Sequence, residues 1–465
     1  MSSYSENINS RQILVKLLES IEHVNFKDYA NLLDAKSTLK KKHFLVSVIE
    51  ILLKKSNQNK FSLCRKNDMI YLFNGQYWEH VENDLFKDFL GEVALKTGVD
   101  KFDAKLHQFK DELLKQFISD ARLKEITSKN DTTIINLKNG TFEINANKQY
   151  LRAFDKRDFL TYQLPFAYDV NAEAPIFNKF LNQALPEKEL QLVLSEFLGY
   201  IFIKNDVLKL EKALLLFGAG ANGKSVLFEI ICALLGSENY TGFSLQSLTD
   251  DKGYSRAMLT NKLLNYSSEI SGKLESSIFK QLCSGEPVEA RLPYGNPKII
   301  KDYARFMFNC NALPNDAENT HAYFRRFIII PFNITVETNQ QDKDLSKKII
   351  NSELSGVFNF VIDGLKRLLK NKNFTESRII KEQIHQYEID SDSVFMFLED
   401  NNYEKSNSEI LKINSIYTEY TSFCHQNGVI PYSTKTFSQR LEKRGFKKSR
   451  NRSFTFFYIQ KKVFN

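Results

Sequence analysis

A chain of 465 residues with 42% hydrophobic and 26% charged side chains has room for two to four domains with large apolar cores, which excludes global disorder. No apolar run approaches the roughly 18 residues of a membrane span, and the opening MSSYSENINSRQ is too polar for a signal peptide, so a cytoplasmic protein with no membrane partner is expected. The net charge of +8 is concentrated: residues 431–465 carry ten Lys or Arg against the single acid Glu442, a net of +9, leaving the rest near neutral. That imbalance points to a polyanionic partner at one end, against the plainer reading of a solubilising surface.

The five cysteines lie far apart with no C-x-x-C pair, so reduced structural thiols are expected and no metal centre is suggested. No internal repeat is present. Residues 1–60 read as helical, with HFLVSVIEILLKK carrying apolar positions at helical spacing. Residues 61–170 form a mixed α+β module, because MIYLFNGQYWEHVEN and TIINLKNGTFEIN each resemble a strand pair around an Asn-Gly turn. The lone Trp78 in the first of these reads as a core residue rather than a base-stacking one. A helical connector follows over 171–210. Residues 211–340 alternate strand and helix, the α/β signature of a parallel sheet. Residues 341–390 read as a charged helical linker. Residues 391–465 read as helices ending in a short β segment, RSFTFFYIQKKVF, which with its basic flanks fits a winged helix.

The strongest motif is Gly218-Ala219-Gly220-Ala221-Asn222-Gly223-Lys224-Ser225, a full match to G-x-x-x-x-G-K-[ST]. KALLLF before it is a buried-strand pattern and VLFEIICALLG after it is a helix ending at Gly236, the context that phosphate binding needs. Backbone N–H groups at the glycines and the helix N-terminus would cradle ATP phosphates, Lys224 would reach the β- and γ-phosphates, and the Ser225 hydroxyl would bind Mg²⁺. Hydrolysis also needs a carboxylate and a polar group that holds the attacking water. KLLNYSSEI supplies Glu269 and YARFMFNCNALP supplies Asn311, each at the end of an expected strand.

Taken in order, GAGANGKS, SSEI, FKQLCSGEPVEARLPYG, FMFNCNALP and FRRFIIIPF resemble the motif series of superfamily 3 helicases, in the branch of phage, plasmid and poxvirus primase–helicases. The resemblance covers about residues 60–460 and is clearest across 210–335. It implies an AAA+-like ATPase core with a parallel sheet, behind a collar module and ahead of a C-terminal winged helix. It implies that Glu269 is the Walker B acid and a second Mg²⁺ partner, and that Asn311 is the sensor asparagine. Arg326 would be the arginine finger offered to a neighbouring subunit, with Arg325 the close competitor. Lys280, Gly285 and Arg291 fall in an extra motif whose hairpin, with its tip near Tyr294–Lys298, grips single-stranded DNA. In the winged helix, Lys435, Arg440, Lys443 and Arg444 would face duplex DNA.

The sequence departs from the family pattern twice. Ser268 stands where many such ATPases have a second Walker B acid, and the first 60 residues hold too few carboxylates for a primase. The expectation is therefore a helicase without the primase: a homo-oligomer, as a hexameric ring, acting on single-stranded and forked DNA in the replication of a mobile element in a bacterial host's cytoplasm. A separate primase or initiator is a candidate partner. Two competing readings stay open, an ATP-dependent origin-binding switch on duplex DNA and a packaging or defence ATPase built on the same core.

Overall fold

The computed structural model describes residues 10–32, 37–58, 61–66, 69–123, 131–268, 270, 275–313, 320–337 and 341–462. At the centre lies a five-stranded parallel sheet. Its spatial order is Phe327–Pro331, Ala213–Phe217, Arg305–Cys310, Leu264–Ser267 and Tyr240–Thr241. Successive side chains on a strand face opposite sides of a sheet. Here Leu214, Leu216, Met307, Ile328 and Ile330 enter one core, and Ala213, Leu215, Phe306, Phe308, Phe327 and Ile329 enter another. With both faces covered, a strand has no solvent side, so ALLLF and FIIIP run apolar without alternation.

Helices Pro175–Ala184, Lys188–Tyr200, Lys224–Leu235 and Leu354–Asn371 supply the first core. Helix Ser276–Cys283, the short helix His321–Phe324 and Tyr387 supply the second. The segment 341–390, expected as a linker, is helical but belongs to this packing. Leu354–Asn371 carries Val357, Phe358, Val361, Leu365 and Leu368 into the first core and lies flush against Lys188–Tyr200. A Cβ at Gly364 would stand 2.2 Å from the backbone carbon of Ser195, and one at Gly199 would stand 2.7 Å from Cα of Leu365. The pair is tied by Glu196, 0% exposed, which accepts from Arg367 Nε at 2.7 Å and from the Thr375 amide at 2.7 Å. Glu353 accepts from the amides of Ile176 and Phe177, capping the Pro175–Ala184 helix from outside its own sequence.

The α+β module expected over 61–170 is divided between two cores. The antiparallel sheet Ser62–Lys66, Met69–Phe73, Trp78–Val81 packs with helices Ser10–Glu19, Lys41–Gln58, Asn83–Thr97 and His107–Asp120. The second antiparallel sheet, Thr133–Leu137, Gly140–Ile144, Gln149–Arg152, sends Ile135, Leu137, Phe142 and Ile144 into the first core of the parallel sheet. Trp78 is a core residue, its indole N–H donating to Lys156 O at 2.8 Å between Phe73 and Phe159.

At the C-terminal end, helices Ser393–Asp400, Ile413–Gln426 and Thr434–Lys443 pack on a three-stranded antiparallel sheet. Its order is Tyr403–Lys412, Thr455–Lys461, Lys448–Arg450. The strand Tyr403–Lys412 lies where only helix was expected. Its sequence YEKSNSEILK is polar and mostly exposed, so no apolar alternation announces it.

All five cysteines are free and buried. Among the described residues no three metal-binding side chains cluster, and no helix is long and apolar enough to cross a membrane. Burial pushes the thiols of Cys64 and Cys310 up to about 12 and that of Cys232 up to about 11. At pH 8 the native chain should therefore react with a disulfide reagent such as DTNB far more slowly than the guanidinium-unfolded chain, which exposes every thiol. Fast modification of a thiol in the native chain would place that residue outside the core. The helix crossing gives a second test. Gly364→Ala forces a methyl into the Ser195 backbone and should cost about 1–3 kcal/mol or more, read as a lower urea midpoint. An unchanged midpoint would mean that the two helices do not approach this closely.

Candidate functional site

The segment 218–223 leaves the carboxyl end of strand Ala213–Phe217 and enters helix Lys224–Leu235. Its backbone follows a path that glycine makes accessible. Gly218 has φ 151°, and a Cβ there would stand 2.3 Å from Phe332 O; Gly223 has φ 89°, with Phe180 at 2.9 Å from any added Cβ. Ala221 between them also sits at positive φ. On the outer side, a Cβ on Gly220 would meet nothing within 4 Å, and Ala219, Gly220, Ala221 and Ser225 are exposed.

Lys224 folds back under this loop. Its ammonium has three donors, and the acceptors are Gly218 O at 2.6 Å, Ala219 O at 2.9 Å and Asn222 Oδ1 at 2.9 Å. Burial lowers its pKa. Asn222 is buried beneath the loop and donates to Phe332 O at 2.8 Å and to Ala219 O. Val336 N donates to Ala221 O at 2.8 Å, a second tie to the segment that follows strand Phe327–Pro331. Helix Lys224–Leu235 begins without a side-chain cap, so its first amides have no side-chain acceptor. The edge thus offers an anion uncapped amides, the positive end of a helix dipole and one ammonium group.

The neighbouring strand end brings in the next residue. Cys310 pairs with Phe217, and Gly218 N donates to Cys310 O at 3.1 Å, so Asn311 emerges beside the loop and is exposed. Asn309, two residues earlier, is buried and accepts the Tyr266 hydroxyl at 2.9 Å, a structural use of the amide. Glu269 lies outside the described residues. The strand leading to it, Leu264–Ser267, runs parallel to Arg305–Cys310 with Ser267 level with Phe308.

The two arginines of FRRF have opposite fates. Arg326, 8% exposed, donates to Ser284 Oγ at 3.0 Å and to Ala322 O and lies 3.8 Å from Glu211. Arg325 has a half-exposed side chain and reaches Glu211 at 3.2 Å across the surface. Arg326, expected to reach a neighbour, is instead buried within the chain, its two terminal guanidinium nitrogens held by Ala322 O and Ser284 Oγ. Adjacent residues after a short helix point in different directions, and sequence alone does not say which points out.

Strands Val288–Ala290 and Lys298–Ile300 form an antiparallel hairpin, so the tip spans residues 291–297. Leu292, Tyr294 and Ile299 stand in solvent, and Tyr294 is fully exposed at φ 60°. Lys298 is exposed at the end of its strand. Arg291 turns back, donating to Lys252 O at 3.3 Å and leaning over Tyr254, and Lys280 is half-buried on helix Ser276–Cys283. The hairpin base is held by Arg256, 5% exposed, which donates to Glu289 O, Leu248 O and Asp250 O at 2.6–2.9 Å. No motif singles out Arg256 in the sequence.

The basic C-terminal residues also divide. Lys435 and Lys443 are exposed on helix Thr434–Lys443. Arg440 pairs with the buried Asp392 at 2.5 Å and lies over Tyr432; Arg444 lies 3.5 Å from the Phe395 ring centroid and 3.9 Å from Glu388. Both arginines, expected to face DNA, fasten this helix to the segments before it.

Three family descriptions match the chain in succession: "D5 N terminal like" over residues 50–186, "Family of unknown function (DUF5906)" over 216–326, and "Poxvirus D5 protein-like" over 389–464. A "Putative helicase L207/L206" of Acanthamoeba polyphaga mimivirus is 24% identical over 212 residues, 43% of this chain. The match covers 22% of that relative, so the chain spans about a fifth of its length. Among solved structures, two of the NrS-1 C-terminal region, described as apo, align over 89% of this chain and 99% and 98% of theirs. Both are 12% identical, with TM-scores of 0.49 and 0.47. D5-type descriptions thus match on both sides of the parallel-sheet segment and, with the helicase-named relative, support a likeness to D5-like primase–helicases.

Proposed function

We propose that this chain is an ATP-dependent DNA helicase of superfamily 3 that translocates on single-stranded DNA as a hexameric ring, in the replication of a mobile element. The observation that carries the reading is the 218–225 loop between a parallel strand and an uncapped helix start, with Asn311 at the end of the adjacent strand. The loop fits a triphosphate. Its outer side is open at Gly220, its first helical amides lack a side-chain acceptor, and Lys224 already holds three oxygen acceptors that phosphate oxygens would replace.

Lys224 would neutralise phosphate charge, and Asn311 would orient the attacking water. Glu269 would take that water's proton. Ser225 would hold Mg²⁺, which when bound supplies charge compensation at the phosphates. Arg325, exposed seven residues before Phe332, is the arginine that would complete a neighbour's site, and Arg326 bonds back to the short helix His321–Phe324 that precedes them both. Single-stranded DNA would meet the hairpin tip through Tyr294 and Lys298. Lys435 and Lys443 would contact duplex phosphates from a winged-helix module. The proposed setting is the cytoplasm of a bacterial host, with a primase or initiator on a separate chain as partner. An origin-binding switch without processive unwinding would use the same C-terminal cations. A forked substrate separates the two readings, since only the helicase displaces a strand.

Lys224→Ala should abolish ATP hydrolysis and weaken nucleotide binding with the fold intact. Near-wild-type hydrolysis would remove the nucleotide-loop assignment. Glu269→Gln should retain ATP binding yet lose hydrolysis; if it turns over normally, Asp250 and Asp251 are the next acids to replace.

The arginine pair gives a sharper test. Arg325→Ala should leave stability within about 0.5 kcal/mol and cut ATPase by roughly 10³-fold or more. Arg326→Ala should lower stability by about 1–3 kcal/mol, since it empties a buried position and takes the guanidinium from Ser284 Oγ and Ala322 O. Arg325→Ala chains mixed with Lys224→Ala chains should regain partial ATPase in mixed rings. Mixed rings that form without recovering activity would rule out action between subunits.

Truncation after Asp390 should weaken duplex binding and flatten its salt dependence by about 0.9 in log–log slope per lost phosphate contact. An unchanged slope would reduce the basic end to a solvated surface.

A further inference from the structure

We propose that the outer face of the C-terminal three-stranded sheet is a stacking platform for the unpaired bases of single-stranded nucleic acid. Strand Thr455–Lys461 places Phe457 and Ile459, both 0% exposed, in the core with Phe437 and Leu441 of helix Thr434–Lys443. Alternation along a strand then sends the residues between them to the opposite side. Those residues are Phe456 and Tyr458, and Phe454 precedes them at the same spacing. All three rings are partly exposed, and none belongs to a hydrophobic core. They run as a ladder with centroids 5.8 Å apart at both steps.

The ladder is flanked by cations. Lys412 Nζ lies 4.7 Å from the Phe454 centroid and Lys447 Nζ lies 5.1 Å from that of Tyr458, and both lysines are exposed. Arg450 and Arg452, at the turn that leads into the strand, are exposed as well. The acid on this face, Glu404, sits at the far end and accepts from Gln460 at 2.8 Å.

An aromatic row on the solvent face of a sheet contributes no core packing. With cations at both ends it has the composition of a single-strand surface, on which each base stacks on a ring while the phosphates meet the lysines and arginines. Duplex DNA fits it poorly, because paired bases offer no free faces. The surface lies on the side of the sheet opposite helix Thr434–Lys443, so it is separate from the duplex contacts proposed above. It also requires no ATP hydrolysis, so its fate does not hang on the motor assignment.

The test uses the full-length chain without nucleotide, titrated into fluorescently labelled oligo(dT) and, in parallel, a labelled duplex. Phe456→Ala and Tyr458→Ala should each weaken oligo(dT) binding by about 5-fold to 100-fold, the range for losing one stacked base, while duplex affinity stays within about twofold. Phe456→Trp, which keeps a stacking face, should bind oligo(dT) as the unaltered chain does. Photo-crosslinking an oligonucleotide that carries 5-iodouracil should mark residues 454–458. Oligo(dT) affinity unchanged in both alanine variants would overturn the platform. So would equal losses on single strand and duplex, or crosslinks confined to the 291–299 hairpin. The last result would leave the helicase reading standing by itself.

Discussion

A parallel sheet has no face it can leave to water, and the rest of this chain is arranged to meet that demand. Each of the three longest central strands feeds two cores by turns, so two sets of covering elements must be found. One set comes from residues before the sheet and from residues well after it. Helix Lys188–Tyr200 and helix Leu354–Asn371 meet so closely that Gly199 and Gly364 leave no space for a Cβ. The chain therefore closes around its sheet, and the carboxyl edge is left as the open side where loops can carry chemistry.

Buried charge fixes that closure. A carboxylate with no exposure is costly unless its oxygens are fully used, and Glu196 satisfies them with Arg367 and with Thr375 on the far side of the helix crossing. Glu353 gives its carboxylate to the first amides of another helix. The same economy governs the arginines. Arg256, Arg326, Arg440 and Arg444 lie against carbonyls, hydroxyls, carboxylates or rings of this chain. Arg325, Lys298, Lys435 and Lys443 remain at the surface. A guanidinium carries five donors in a rigid fork and suits fixed internal geometry; lysines are more readily left in water.

The carboxyl edge gathers its groups through register. Phe217 pairs with Cys310 on one side and with Pro331 on the other, so Gly218, Asn311 and Phe332 leave the sheet at one level. Asn222 then ties the loop to Phe332 O, and the strand that ends there begins just after Arg325 and Arg326. The loop and the arginine pair are thus joined by one short strand.

What the sequence determined by itself was the local chemistry. A glycine-rich octet between an apolar strand and a helix fixes its own shape, because the required φ values and the helix start are encoded within eight residues. The unbroken apolar runs ALLLF and FIIIP imply strands buried on both sides, and the Asn-Gly pairs imply two hairpins. Tertiary structure alone decided how these pieces share cores. The two hairpins look alike in sequence, yet one packs with the N-terminal helices and the other with the parallel sheet. The charged helix at 354–371 reads as a linker until its apolar stripe meets Lys188–Tyr200. Direction was illegible for the same reason. Whether Arg325 or Arg326 points outward, or whether Arg440 serves a ligand or Asp392, depends on partners many residues away, and one-dimensional spacing does not contain those distances.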